Sequence, residues 1–224
     1  MIFHTSADPL YYKNFYKFYN KSIKLFYPDS KLSFHYVGHD SNIIDVPIDV
    51  FSQDKISKQE IEKKYNTSNR NTLGYYALSR WMSIPDTGEH VVVSDVDIVA
   101  IKSIPDNYIL NIFKEYEVIN ITRRKSNGLE GGMAMMIIRE DIISKINKKA
   151  DEVLNNPTLA WDSDVQVRTF IYENFKVKEL PEMHVMGKKS NFETLDKTER
   201  SFVIYKGDRL RKIEILNKVL GKLK

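Results

Sequence analysis

The sequence predicts a single α/β domain, a mostly parallel mixed sheet with helices on both faces, and three observations carry that reading. Stretches with strand and helix periodicity alternate along the chain. His90 to Ala100 is a near-continuous β-branched run of the kind that lies centrally in a sheet covered on both sides. The 224 residues, 42% hydrophobic with 9 Gly and 7 Pro, suffice for one substantial core and are too few for two ordinary domains plus a linker.

Taken in order, Met1 to Thr5 reads as a short strand closed by the polar turn Ser6-Ala7-Asp8-Pro9. Tyr12, Phe15, Tyr16, Tyr19, Ile23 and Phe26 then recur at helical spacing until Pro28 stops the pattern. Lys31 to Val37 alternates as a second strand, ended by Gly38-His39-Asp40-Ser41. Short apolar pieces from Ile43 to Phe51 are broken by Pro47, a charged helix is expected over Lys58 to Tyr65, and a more apolar one over Leu73 to Ile84. The β-branched run follows, with further strands expected at Glu117 to Ile121 and Met133 to Ile138 and helices at Asp141 to Leu154 and Asp162 to Tyr172. Phe202 to Tyr205 reads as a last strand, and Leu210 to Leu223 as a basic amphipathic helix. The segments 123–128 and 186–200, polar and without periodicity, are expected to be loops.

Composition narrows the chemistry. Without cysteine there are no disulfides, thiolate zinc sites or cysteine nucleophiles. Lys and Arg number 34 against 30 Asp and Glu, a net charge of +4 that tolerates phosphorylated ligands without indicating nucleic-acid binding. The basic loop Arg123-Arg124-Lys125 lacks interleaved aromatics, so nucleic acid is not an expected partner. No segment has the uninterrupted apolar length of a membrane span and the start lacks the pattern of a signal peptide, so a cytoplasmic protein is the default expectation.

Two acids, Asp95 and Asp97, interrupt the β-branched run. At i and i+2 of a strand they would project to one face, and two buried carboxylates need a counter-charge: a divalent cation or an arginine. Hard oxygen donors suit Mg²⁺ or Mn²⁺, which in turn would hold a diphosphate. The plain alternative is that the strand ends at Ser94 and both acids face water.

Leu73 to Trp81 followed by Val91-Val92-Val93-Ser94-Asp95-Val96-Asp97 resembles the helix and DxD strand of nucleotide-sugar glycosyltransferases of the GT-A fold. Gly131-Gly132-Met133-Ala134 resembles the glycine-led strand beside the donor sugar, and Trp161-Asp162-Ser163-Asp164 the acidic helix start near the reaction centre. The order of blocks is closest to the retaining glycogenin-like and bacterial galactosyltransferase-like groups. The resemblance implies transfer of a sugar from a nucleoside diphosphate sugar, a UDP-sugar favoured, to a hydroxyl of a glycan, lipid or protein acceptor, with retention. It implies a nucleotide-sugar-binding domain over 1–207 and a terminal helix over 208–224.

It also assigns residues. Asp95 and Asp97 would hold Mn²⁺ or Mg²⁺ against the diphosphate, with Arg80 near the same phosphates. Thr5, Ala7 and Tyr11 follow the first strand, where the family binds base and ribose; Tyr11 also reads as simple helix packing. Gly131 and Gly132 would admit the donor sugar close to the backbone; of Asp162 and Asp164, the candidate catalytic acids, one would cap the helix and the other would hydrogen-bond the donor sugar or sit near its reacting carbon. The family's late histidine ligand is missing from Val203-Ile204-Tyr205-Lys206-Gly207. Lys206 would then neutralise diphosphate, and His184 is the substitute metal ligand, set against an ordinary imidazole. The competing classes are a Mg²⁺-dependent phosphoesterase or phosphotransferase built on the same acids, and a non-catalytic nucleotide-sugar-binding protein. The terminal helix, with Ile213, Leu216, Val219, Leu220 and Leu223 on one side, would either lie on an anionic membrane as a peripheral contact or cover the domain.

Overall fold

The computed structural model describes residues 1–39, 48–67, 69–122, 135–155, 163–186, 198–205 and 208–222, with the backbone alone at 69, 70, 184 and 222. The chain opens with β1 (Ile2–Ala7), α1 (Pro9–Tyr11), a π-helical segment (Tyr12–Tyr16) and α2 (Lys17–Phe26), then β2 (Lys31–Val37) and β3 (Val50–Asp54). Two helices follow, α3 (Lys58–Lys64) and α4 (Asn69–Ser79), before β4 (Val91–Asp95) and β5 (Ile98–Ala100). The middle holds α5 (Asp106–Ile112), β6 (Val118–Asn120), β7 (Met135–Ile138), a 3₁₀ turn (Glu140–Ile142), α6 (Ile143–Leu154) and α7 (Ser163–Asn174). The end is β8 (Val177–Glu179), β9 (Met183–Met186), β10 (Phe202–Tyr205) and α8 (Arg209–Lys222).

Seven strands form one mixed sheet in the order β3-β2-β1-β4-β7-β6-β8, and β5-β10-β9 form a small second sheet. β3, β2, β1 and β4 run parallel, β7 is antiparallel to both β4 and β6, and β8 lies parallel to β6. Strand alternation divides the core. Phe3, Phe34, Tyr36 and Val92 pack with the aromatic face of α2, with α5, α8 and the small sheet; Ile2, Val91, Val93 and Ile138 pack with α4, α6 and α7. The sheet is thus covered by helices on both faces, as expected.

Three expectations need correction. The run 90–100 is two strands, because the backbone turns at Val96 and Asp97 and passes from the large sheet to the small one. α4 begins earlier than expected and ends at Ser79, so Arg80 and Trp81 sit in the turn just beyond it. Residue 184, where no strand was expected, lies in strand β9, level with Val203 of β10.

The terminal helix covers the domain. Ile215, Leu216 and Val219 join the core with Phe202 and Tyr27, so the apolar side that would have rested on a membrane is occupied by the protein itself. No described helix is long and apolar enough to cross a membrane.

Candidate active site

The candidate site lies at the carboxyl ends of the neighbouring parallel strands β1 and β4, the end of an open α/β sheet at which ligands bind. The register sets Ser6 beside Asp95. Short hydroxyl ties hold the strand ends: Thr5 Oγ1 donates to the Ser94 carbonyl at 2.8 Å, the Tyr19 hydroxyl lies 2.9 Å from Ser94 Oγ, and Ser79 Oγ lies 2.7 Å from Ser6 Oγ. The last contact pins the end of α4 to β1 and delivers Arg80 to the acidic turn.

Arg80 is 4% exposed and its guanidinium is divided among three acceptors. Nε donates to the Ala77 carbonyl at 2.8 Å, Nη2 to Asp164 Oδ2 at 3.2 Å, and Nη1 is ion-paired with Asp95. Asp164, in the first turn of α7, is held from the other side by Arg168 Nη2 at 3.4 Å, one helical turn on. A buried chain of alternating charge, Arg168, Asp164, Arg80 and Asp95, therefore ties α7 to the end of β4.

Asp97 belongs to a second pair. Its Oδ2 accepts from the ammonium of Lys212 on α8, and both residues are buried. Its Oδ1 is buried and, among the described residues, has no hydrogen-bond partner. Asp95 and Asp97 thus face different cations instead of projecting together from one strand face, because the turn at Val96 separates them. Burial is the largest effect on Arg80, holding it below its ordinary value, while Asp164 and Asp97 act in the opposite sense.

Thr5 and Ala7 are buried in β1. Asp8 Oδ1 caps α1 by accepting from Tyr11 N at 2.7 Å. Tyr11 is 41% exposed, its ring 5.1 Å from that of Phe15. Partial burial pushes its phenol up, and the charge of Asp97 adds to that shift, so Tyr11 belongs electrostatically to the acidic turn. Gly131, Gly132, Asp162 and Lys206 lie outside the described residues, as does the side chain of His184. The β9 backbone at 184 is separated from β5 by β10, roughly 10 Å at two strand spacings.

Sequence reasoning missed Arg168 and Lys212. Each carries a legible signal: a charged residue on the apolar stripe of its helix, Lys212 with Ile215, Leu216 and Val219, and Arg168 with Val167 and Ile171. A long cation among buried positions needs an acid elsewhere in the fold. Among the described residues no group of three or more acids and histidines gathers as a metal cage.

The parallel half-sheet, the antiparallel β7 and the small sheet reached through the acidic turn make a GT-A-like fold. Two solved structures share this fold. An active-site mutant of LgtC aligns over 99% of this chain and 96% of that one, with 12% identity and a TM-score of 0.54. A glycosyltransferase involved in the glycosylation of the major capsid of PBCV-1 aligns over 96% and 98%, with 11% identity and a TM-score of 0.54. No protein-family model matches the sequence, and no curated protein matches it.

Proposed function

We propose that this chain is a glycosyltransferase that moves a sugar from a nucleoside diphosphate sugar, a UDP-sugar favoured, to an acceptor hydroxyl. One observation carries the reading: the fold brings Asp95, Asp97 and Arg80 together at the carboxyl ends of β1 and β4. The shared fold with a capsid glycosyltransferase supports it.

A divalent cation fits these residues poorly: Asp95 is ion-paired with Arg80 and Asp97 with Lys212, and the Oδ1 of Asp97, which has no hydrogen-bond partner among the described residues, is buried. The chain's own residues prepare the site. Arg80, fixed by Ala77 and Asp164, holds Asp95 in place and brings a buried guanidinium to the acidic turn. Tyr11, 41% exposed and within the electrostatic influence of Asp97, would offer its ring to a base. Asp164, gripped by two guanidinium groups, acts through Arg80 as a positioning residue. Transfer is read as retaining, with the departing phosphate and close positioning in place of a carboxylate base. The acceptor class is a glycan, lipid or protein hydroxyl.

Calorimetric titration with UDP-, GDP- and other nucleotide sugars, with Mn²⁺ or with chelator, tests the reading on wild type and Asp97→Asn. One donor binds, and its turnover falls on the order of 100-fold or more in Asp97→Asn. Absence of binding across the panel by folded protein overturns the reading, and phosphate release without a sugar donor replaces it with a phosphoesterase.

A further inference from the structure

We infer that the acidic turn is complete without a metal ion: Asp95 and Asp97 are the internal counter-ions of Arg80 and Lys212, and the chain holds no divalent cation between them. These acids thus depart from the ligand role that the resemblance implies, whatever reaction the site performs. Six charged side chains meet here, Asp95, Asp97 and Asp164 facing Arg80, Arg168 and Lys212. Three carboxylates against three cations leave the cluster without net charge, and all but Asp95 are buried. Mg²⁺ or Mn²⁺ takes about six oxygen donors and is drawn to a site whose fixed charge is negative. Entering this cluster, it would add uncompensated positive charge where screening is weak.

Neither cation is free to make room. Arg80 is fastened by the Ala77 carbonyl at 2.8 Å and by Asp164 at 3.2 Å, which keeps its guanidinium at the turn. Lys212 is driven inward by packing, since Ile215, Leu216 and Val219 bury the same side of α8 against the core. The helix has an acid of its own, Glu214, but it is exposed and taken by Arg211 and Lys218. A buried ammonium stripped of its carboxylate is costly, so Asp97 is committed to Lys212. The Oδ1 of Asp97, without a hydrogen-bond partner among the described residues, is itself fully buried and does not face solvent from which a hydrated ion would come.

The pairs fasten the fold instead. Asp95 and Asp164, through Arg80, tie α7 to the end of β4, and Asp97 ties α8 to the turn across 115 positions of sequence. A counter-ion and a metal ligand respond oppositely to loss of charge. Carboxylates gathered for a metal repel one another in its absence, so neutralising one relieves the metal-free protein. Neutralising a counter-ion strands the buried cation that it faced and destabilises the same protein.

Thermal melts in chelator, and free Mn²⁺ measured by its electron paramagnetic resonance signal, test this on wild type, Asp97→Asn and the pair replacement Asp97→Leu with Lys212→Met. In chelator Asp97→Asn melts roughly 10 °C below wild type, and the pair replacement regains most of that loss. Wild type takes up no Mn²⁺, alone or with UDP, beyond what UDP binds by itself. A melting temperature in chelator that Asp97→Asn leaves unchanged or raises overturns the inference, as does Mn²⁺ uptake by wild type that folded Asp97→Asn loses. Uptake that Asp97→Asn retains places the ion elsewhere and supports the counter-ion assignment. UDP binding in chelator scores the donor site separately, so failure of the proposed reaction is distinguishable from failure of the assignment.

Discussion

His4 is fully buried on β1, its Nδ1 2.8 Å from Ser33 Oγ, and burial, aided by the neighbouring His35, lowers its pKa from 6.5 to about 3. The unfolded imidazole takes up a proton near pH 6.5 while the folded one stays neutral down to about pH 3, so its contribution to stability is intact above 6.5 and is lost through that window. The loss builds to roughly 5 kcal/mol at its acid limit. Thermal melts between pH 8 and pH 4 should show wild type falling more steeply than His4→Gln; parallel curves would sink the assignment. Arg168 makes the second residue-level prediction. With Arg168→Met, Asp164 keeps Arg80 alone and Arg80 loses its fixed setting, so donor turnover falls about tenfold to a hundredfold, whereas Arg168→Lys recovers part of it. Steady-state rates beside a melting curve separate that loss from unfolding. The acids of this cluster were legible as two interruptions in an apolar run, but their partners were not, because 115 residues separate Lys212 from Asp97 and 84 separate Arg80 from Asp164.

At the scale of the element, α8 shows how an amphipathic pattern fixes burial without naming the surface that receives it. The stripe Ile213, Leu216, Val219 and Leu220 is in the sequence, yet only the fold supplies α2 and the small sheet as its partner. Leu216 is fully buried, so Leu216→Ala should cost about 2–5 kcal/mol in denaturant unfolding, while Asn217→Ala, on the exposed side, should change little. Equal effects would mean that the helix is not seated as described. The strands divide the same way. β2 and β10 match their expected bounds, since their apolar runs are bracketed by turn residues. α5, β8 and β9 were not anticipated: at 7, 3 and 4 residues they are too short to display a period.

For the whole molecule, the placement of the site follows from sheet order. β1 and β4 are sequentially distant yet adjacent, and the chain leaves β4 for a second sheet at the acidic turn. A ligand bound there would touch segments from distant parts of the chain and so would stabilise the fold as a unit. UDP at a hundred times the dissociation constant should add about 2.7 kcal/mol. In a chain of this size that is a rise in Tm of roughly 5–10 °C, kept with chelator. A scan showing no shift would count against the site.

The sequence by itself determined the α/β class, most of the longer elements and the position of the two acids, because periodicity and isolated charges in apolar runs are local signals; that the chain turns between those acids was a property of the fold. Tertiary structure alone decided that Asp95 belongs to Arg80 and Asp97 to Lys212, that Asp164 is clasped by two guanidinium groups, and that α8 closes the domain. Those outcomes depend on which distant segments the packed sheet brings within a few ångströms, and ion pairing between them is a property of distance in space rather than of spacing in sequence.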